Sequence, residues 1–386
     1  MKILVFSETY LPTVNGVVNS IELFRHELEK RGHTVDIVAP HSASEDFKLR
    51  QHVFRLPSLP LLGQPSHPVA WPYYSHVESI IREVQPDIIH VQGMFVTSAM
   101  GRKAALKQHI PHVLTYHTHL EGYTHYAGPL SPLLKPLLRL WTKWFGQKFD
   151  VIITPSPSMA KLLKSYGITT DIVALPTGIH LKDYPNHEKT ALRKQLEFDP
   201  DTVYILCVGR LASEKNVQQL LNDFGRCFVR DQRIHLLFAG EGPERRAYES
   251  IVEARGLKQN ITFLGNVPHD ELRDIFVASD IFAFPSLTDT QGIVLIEAMA
   301  SGTPSVVYNA LGPGDIITNG ENGLKANVDT DQFFQHLFSL IENADLREKL
   351  GIGALREVRK YSIEKTTDQL EQLYKVLIET KSAKEE

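Results

Sequence analysis

The sequence predicts an α/β protein made of two parallel-sheet domains in series. Three observations predict it. The chain has 386 residues, too many for one ordinary core and suited to two. Its opening segment runs short apolar run, helix-period segment, short apolar run, the βαβ order that requires a parallel sheet. The same pattern restarts near residue 203.

The elements follow in order. "KILVFSE" is a run of branched apolar residues and predicts a buried strand. "TYLPTVNG" is rich in turn formers and predicts a loop. The segment after it places Val17, Ile21, Phe24 and Leu28 on one helical face, with Gly32 as the stop. "HTVDIVAP", "PDIIHVQG", "PHVLTYHT" and "DVIITPS" predict further strands. In the second half, "YILCVGRL", "IHLLFAGEG", "ITFLGNV", "DIFAFPS" and "PSVVYN" are five short apolar runs, each closed by a turn signal. Pro176, Gly178 and Pro185 interrupt regular structure over 175–185 and mark the hinge. The expected domains are 1–176 and 177–361, facing each other across a cleft. A last helix, 362–380, crosses back onto the first domain, and 381–386 form a solvated tail.

Bulk properties exclude several classes. A formal net charge of −4 argues against nucleic acid as a partner. Cys207 and Cys227 are too few for a disulfide framework and lie in apolar runs, so reduced thiols in a cytoplasm are expected. The apolar start is too short for a signal peptide and is closed by Glu8. Residues 56–77 are uncharged but carry Pro57, Pro60, Pro65, Pro68 and Pro72, which forbid a regular helix, so any membrane contact is peripheral. "TVNGVV" has one glycine, and no G-x-x-x-x-G-K-[ST] occurs, which argues against nicotinamide and P-loop enzymes.

Ligands of open parallel sheets bind beyond the carboxyl ends of strands, so the residues after each strand carry the chemistry. Arg210 and Lys215 follow the strand "YILCVG" and suit an anion such as a pyrophosphate. Their ordinary alternative is a surface ion pair with Glu214. Gly240 and Gly242 in "AGEGP" permit close backbone approach. In "SLTDTQGIVLIEAMASG", a helix starting near Gly292 turns its free N–H groups outward, where they favour a phosphate. Glu297 then lies inside that helix among apolar neighbours and needs a partner, such as sugar hydroxyls. The ordinary alternatives are a dipole-favoured Glu at 297 and a helix cap at Asp289. Together with Arg210 and Lys215, the binding reading prevails.

The combination "GRLASEKN", "AGEGP", "FLGNV" and "TDTQGIVLIEAMASGTPSVV" resembles the retaining nucleotide-sugar glycosyltransferases of the GT-B fold, family 4 and group 1. The resemblance covers nearly the whole chain and implies two Rossmann-like domains facing across a cleft. It implies that Arg210 and Lys215 hold the donor pyrophosphate and Glu297 the nucleotide ribose. Asp289 would bind the donor sugar, beside Thr290, Gln291, Gly292 and Ile293. Gly16 matches the glycine whose backbone approaches the donor phosphates. His117 matches the active-site histidine that supports the developing charge. The family more often has Glu where this chain has Asp289. The resemblance also implies front-face displacement, in which the departing phosphate takes the acceptor proton. The two acids are then ligands, not an acid/base pair, and neither a metal nor a cofactor is required.

The stretch 113–128 is dense in His and Tyr. His112, His117, His119 and His125 raise a metal site, but the spacing runs into a loop and no Cys joins, so the family role of His117 is preferred and His119 reads as satisfied or exposed. "HTHLEGYTHY", with His117, Thr118, Glu121, Tyr123 and Tyr126 in register, resembles bacterial diacylglycerol glucosyltransferases. Residues 128–149 contain no acid. Lys135, Arg139, Lys143 and Lys148 recur at near-helical spacing, with Leu134, Leu137, Leu138, Trp141, Trp144 and Phe145 on the other side and Pro136 in the first turn. A basic amphipathic helix with Trp suits an anionic membrane surface, and its alternative is a helix packed on its own sheet. The Pro-rich stretch 47–77 offers further lipid contact or a packed loop. "VDTD", 328–331, reads as a helix N-cap and not as a metal-binding D-x-D.

The expectation is a cytoplasmic hexosyltransferase, peripheral on the inner face of the cell membrane. It moves glucose from UDP-glucose to a lipid such as diacylglycerol. Its acceptor and membrane residues are Tyr123, Tyr126, Lys135, Arg139, Trp141, Lys143 and Trp144. A soluble glycoside or a carrier-lipid-linked glycan is the alternative acceptor. A sugar-nucleotide-binding module or a phosphorylase is the rival class on the same scaffold.

Overall fold

The first apolar run forms β1 (Lys2–Phe6), fully buried from Ile3 onward. A loop then leads to α1 (Gly16–Lys30). Asn15 starts α1 by accepting from the backbone N–H groups of Val17 and Val18, both at 3.0 Å, which satisfies donors the helix cannot. β2 (Thr34–Pro40) returns parallel to β1. This is a computed structural model, describing residues 1–41, 52–61, 64–122, 124, 128, 131–184 and 188–385; at 61, 64–67, 384 and 385 it describes the backbone alone. Tyr123, His125, Tyr126 and Pro185, with much of the 47–77 stretch, thus lie wholly or partly outside the description.

The described chain forms two compact units, Met1–Gly178 with Ile363–Glu386, and Ile179–Ser362. The first unit continues through β3 (Val53–Leu56), β4 (Ser58–Leu61), β5 (Gln64–Ala70), α2 (Tyr74–Val84), β6 (Ile88–Val91), α3 (Val96–Lys107) and β7 (His112–Thr115). After these come α4 (Ser131–Gly146), β8 (Val151–Thr154), α5 (Pro157–Ser165) and β9 (Asp171–Ala174). Its main sheet is parallel, in the order β3-β2-β1-β6-β7-β8-β9. Chain order reverses between β1 and β6. The described part of the Pro-rich stretch is not a loop: β4 and β5 pair antiparallel, with Pro60 opposite Pro68. A two-stranded ribbon tolerates residues that cannot donate.

The second unit holds α6 (Lys189–Gln195), β10 (Val203–Val208), α7 (Val217–Arg230), β11 (Ile234–Ala239), α8 (Arg245–Ala254), β12 (Ile261–Gly265), α9 (His269–Ala278) and β13 (Ile281–Phe284). It closes with α10 (Ile293–Ala300), β14 (Ser305–Tyr308), α11 (Leu311–Ile316), β15 (Leu324–Ala326), α12 (Gln332–Glu342) and α13 (Ala344–Glu357). The sheet order β12-β11-β10-β13-β14-β15 reverses between β10 and β13, the dinucleotide-fold order. Both faces are covered: Ile205, Phe224, Phe238 and Leu337 pack on one, Leu206, Phe282, Leu295 and Met299 on the other. That explains the near-continuous apolar strands.

The last helix, α14 (Ile363–Glu385), belongs to the first unit. Its buried Leu370 and Tyr374 join Ile3, Val5, Val113 and Ile153 in one core. Arg31, at the C-terminal cap of α1, holds it through Asp368 at 2.6 Å and Glu371 at 3.1 Å. The expected tail from 381 is mostly helical, because α14 continues to Glu385 and Lys381 lies 3.9 Å from Asp150. One further expectation is corrected: Pro136 is not in the first turn of α4, since that helix begins five residues earlier at Ser131. Asp331 is the N-cap residue of α12, as expected, although its carboxylate pairs with Arg226 at 2.6 Å and makes no capping hydrogen bond.

Tyr374 anchors α14 by a hydrogen bond to the buried His90 Nδ1 at 2.5 Å. Burial holds the His90 pKa down at about 3, so the ring is neutral and needs a neutral partner. Tyr374→Phe is expected to lower unfolding stability by about 1–3 kcal/mol, the usual cost of an unsatisfied buried polar atom. The chain's 3 tryptophans, Trp71, Trp141 and Trp144, all lie in the first unit, so a denaturant titration followed by tryptophan fluorescence reads this transition.

Candidate functional site

At the reversal point of the second unit, the loops after β10 and β13 bring their polar residues together. The β10 loop passes through Gly209 and Arg210 to Lys215. It is held against the β11 loop so closely that a Cβ on Gly240 would lie 2.1 Å from the Gly209 carbonyl oxygen, and one on Gly242 would lie 2.2 Å from that of Leu211. The glycines of "AGEGP" therefore let two loops of the protein touch, and fix where Arg210 and Lys215 start. In the β13 loop, Gly292 has φ +84 and stands at the N-terminus of α10, a left-handed conformation that glycine adopts without strain.

Lys215 Nζ meets both oxygens of Asp289, at 2.7 and 2.8 Å. Both side chains are about a fifth exposed, so the pair is reachable from solvent. Asp289 is thus not a helix cap; the N-terminal position of α10 belongs to Gly292. Arg210 is the more exposed cation, 4.0 Å from the buried Glu214. That distance is too long for a strong ion pair, leaving the guanidinium fork available for an anion. Thr290 and Gln291 continue the loop, Gln291 buried, and Ile293 opens α10. Cys207 and Cys227 are buried free thiols whose pKa values burial pushes up to about 12, so neither is a nucleophile.

Glu297 points inward from α10 and is only 7% exposed. Burial raises its pKa, opposed first by His269, whose Nδ1 lies 3.6 Å from Glu297 Oε1. The Tyr184 hydroxyl, buried and without a hydrogen-bond partner in good geometry among the described residues, is held in its protonated form partly by this carboxylate. His269 and Tyr184 were not found by sequence reasoning. The one available signal for His269 was its place just after the strand "ITFLGNV".

In the first unit, Gly16 opens α1 at the end of the β1 loop, and a Cβ there would meet nothing within 4 Å among the described residues. His117 follows β7. Its Nε2 lies 2.6 Å from Gln92 Oε1, and burial lowers its pKa to about 4, so it is neutral near pH 7. His119 is not satisfied as expected: its Nδ1 is buried with no partner among the described residues. His112 turns away to the Lys148 carbonyl, at 2.7 Å. Glu8 was missed. It reaches from the β1 loop to accept from the N–H groups of Phe95, Thr97 and Ser98 at 2.9–3.1 Å, and so fills the N-terminus of α3.

α4 presents an apolar face different from the expected one. Phe145 is fully buried and Leu134 and Leu138 are half-buried. Leu133, Leu137, Leu140, Trp141 and Trp144 are exposed, the three leucines at 67, 60 and 64%. The buried Arg102 sets this rotation. It donates to the Phe145 carbonyl at 2.9 Å and lies over the rings of Phe145 and Trp144 at 4.3 and 4.7 Å. Arg139 is 56% exposed, and both its Nε and Nη2 donate at 2.8 Å to Glu121. Lys135 is exposed and Lys143 half-buried. Among the described residues, no helix is long and apolar enough to cross a membrane.

Residues 14–183 match Glycosyltransferase Family 4, and residues 188–356 match Glycosyl transferases group 1. An alpha-monoglucosyldiacylglycerol synthase of Streptococcus pneumoniae is 28% identical over 93% of this chain and 82% of its own length. A GDP-mannose-dependent alpha-mannosyltransferase of Corynebacterium glutamicum is 30% identical over 85% of this chain and 77% of its own. Among solved structures, sucrose-phosphate synthase from Thermosynechococcus elongatus superposes with a TM-score of 0.81 at 19% identity, covering 98% of this chain and 99% of that one. Anabaena HepE in complex with UDP-glucose gives 0.77 at 16%, covering 97% and 100%. The fold is GT-B.

A carboxyl pKa raised in the folded state has a definite sign. Below the ordinary carboxylate pKa, Glu297 is protonated in both folded and unfolded chains and costs nothing. As pH rises past that value the unfolded chain ionises Glu297 while burial keeps the folded chain protonated, and stability falls until the folded group ionises too. Glu297→Gln is therefore expected to leave stability unchanged near pH 3.5 and to stabilise the protein increasingly toward pH 8, read by denaturant midpoints across pH. A gap that stays flat would show that Glu297 carries no burial penalty.

Proposed function

We propose a specific reaction for this chain from the premise that it belongs to the glycosyltransferases of family 4 and group 1: it moves a hexose from a nucleotide sugar to a membrane lipid, with retention at the anomeric carbon. The observation that carries the reading is the Lys215–Asp289 pair at the strand reversal of the second unit, with Arg210 and the N-terminus of α10 in the neighbouring loops. A pyrophosphate entering there takes Lys215 and Arg210 as counter-charges and releases Asp289 for sugar hydroxyls. The same cations stabilise the charge that builds on the leaving phosphate, which is where such groups lower a barrier. Glu297, buried beside His269 and Tyr184, suits the ribose hydroxyls, since donors from the ligand relieve its burial penalty. His117, neutral, serves as the active-site hydrogen-bonding group.

UDP-glucose is the proposed donor and diacylglycerol the proposed acceptor, supported by the names of the monoglucosyldiacylglycerol synthases among the relatives. The mannosyltransferase relative makes GDP-mannose the second reading. The exposed apolar row of α4 supports a peripheral seat on the membrane, proposed as the inner face. Burying each such leucine contributes up to about 1.5–3 kcal/mol, with about 1 kcal/mol more for a nearby cation such as Lys135.

Purified protein incubated with UDP- and GDP-hexoses and with diacylglycerol in anionic liposomes tests the reading. An α-linked glycolipid from one UDP-sugar is expected, and a β-linkage by NMR would overturn retention. Donor hydrolysis with no lipid product would move the acceptor to a soluble glycoside or a carrier-linked glycan. Leu137→Glu with Trp144→Glu is expected to weaken liposome binding by at least tenfold while leaving donor hydrolysis intact; unchanged sedimentation with liposomes would remove α4 as the anchor. His117→Ala is expected to lose most turnover and keep donor affinity, whereas a pure binding module would be indifferent to it.

A further inference from the structure

His117 sits at the top of a polar ladder that runs up one face of the first sheet. Along β6 and its extension, His90 and Gln92 are two residues apart and share a face; along β7 and its extension, so do Thr115 and His117. The backbone stays in the sheet at both ends, since the Gln92 N–H donates to Phe6 at 2.8 Å and that of Tyr116 to Ile153 at 2.9 Å. The side chains meet rung by rung: His90 Nε2 with Thr115 Oγ1 at 2.6 Å, then His117 Nε2 with Gln92 Oε1 at 2.6 Å. Tyr374 of α14 closes the lower end on His90 Nδ1. Gln92 is only 9% exposed, so its carbonyl oxygen is not exchanged for water.

We propose that Gln92 is a positioning residue that fixes the tautomer of His117. An amide oxygen only accepts, so the nitrogen facing it carries the proton, and Nδ1 becomes the acceptor of the ring. In that tautomer Nδ1 can accept a hydrogen bond and cannot donate one. The choice is binary because the ring is neutral: burial keeps both His117 and the nearby His90 uncharged at neutral pH. The consequence for turnover rests on the hexose-transfer reading; the tautomer itself does not.

The test is long-range proton–nitrogen NMR of the ligand-free protein labelled with ¹⁵N-histidine, with His117 assigned by its loss in His117→Ala. The wild type is expected to show a protonated Nε2 and an unprotonated Nδ1. In Gln92→Met, which fills the space without an acceptor, the signal is expected to shift toward Nδ1–H or a mixture. Turnover is expected to fall by roughly 10- to 100-fold, the cost found for the orienting partners of metal-bound histidines, while KM for the nucleotide sugar is unchanged. A wild-type spectrum with Nδ1–H overturns the proposal even if Gln92→Met does not fold. So does a folded Gln92→Met with an unchanged tautomer or unchanged turnover. If no nucleotide sugar is turned over by the wild type, the functional reading fails while the tautomer is still decided by the spectrum.

Discussion

A parallel sheet whose strand order reverses leaves two neighbouring loops that part company at one point, and this constraint organises both units. Helices from the two strands beside the reversal go to opposite faces, so a crevice opens there without any side chain being removed. In the second unit the reversal lies between β10 and β13. The loops that part there carry Lys215 and Asp289, which meet at 2.7 Å. In the first unit it lies between β1 and β6. Gly16 follows one of these strands and Gln92 the other, with His117 after the adjacent β7.

Charge placement at the second reversal trades stability for readiness. A carboxylate buried as Glu297 is, with a histidine 3.6 Å away and a tyrosine hydroxyl lacking a well-aligned partner, is not an arrangement that folding alone would favour. Lys215 and Asp289 neutralise one another at 2.7 Å.

The first unit handles polarity differently. Its histidines His90 and His117 are neutral, stacked along one sheet face, and each is matched by a neutral partner. Charge there serves packing and capping: Arg102 is buried against Phe145 and Trp144, Glu8 fills the N-terminus of α3, and Glu121 pairs with Arg139. α4 keeps Lys135 as an exposed cation beside its outward apolar row. Arg102, clamped on Phe145 and Trp144, turns its leucines outward.

The strands were legible in the sequence because buried parallel strands are short, branched and apolar, and "YILCVG" or "DVIITPS" has few other readings. β9 and β15 were not, since Asp171–Ala174 and Leu324–Ala326 span only four and three residues and have no periodicity to detect; β3, β4 and β5 lay in a stretch whose prolines made it read as a loop. At the site, Arg210, Lys215, Asp289 and Glu297 stood out because charges directly after apolar runs are rarely idle. The sequence by itself thus determined the two parallel-sheet halves and the residue types at the ends of their strands, since both follow from local pattern. Only the tertiary structure decided the partners: Lys215 with Asp289 across 74 positions, His117 with Gln92 across 25, His90 with Tyr374 across 284, and the outward face of α4. The physical reason is that hydrophobic periodicity is set by neighbours along the chain, whereas a hydrogen bond or ion pair is set by where folding brings distant strands together.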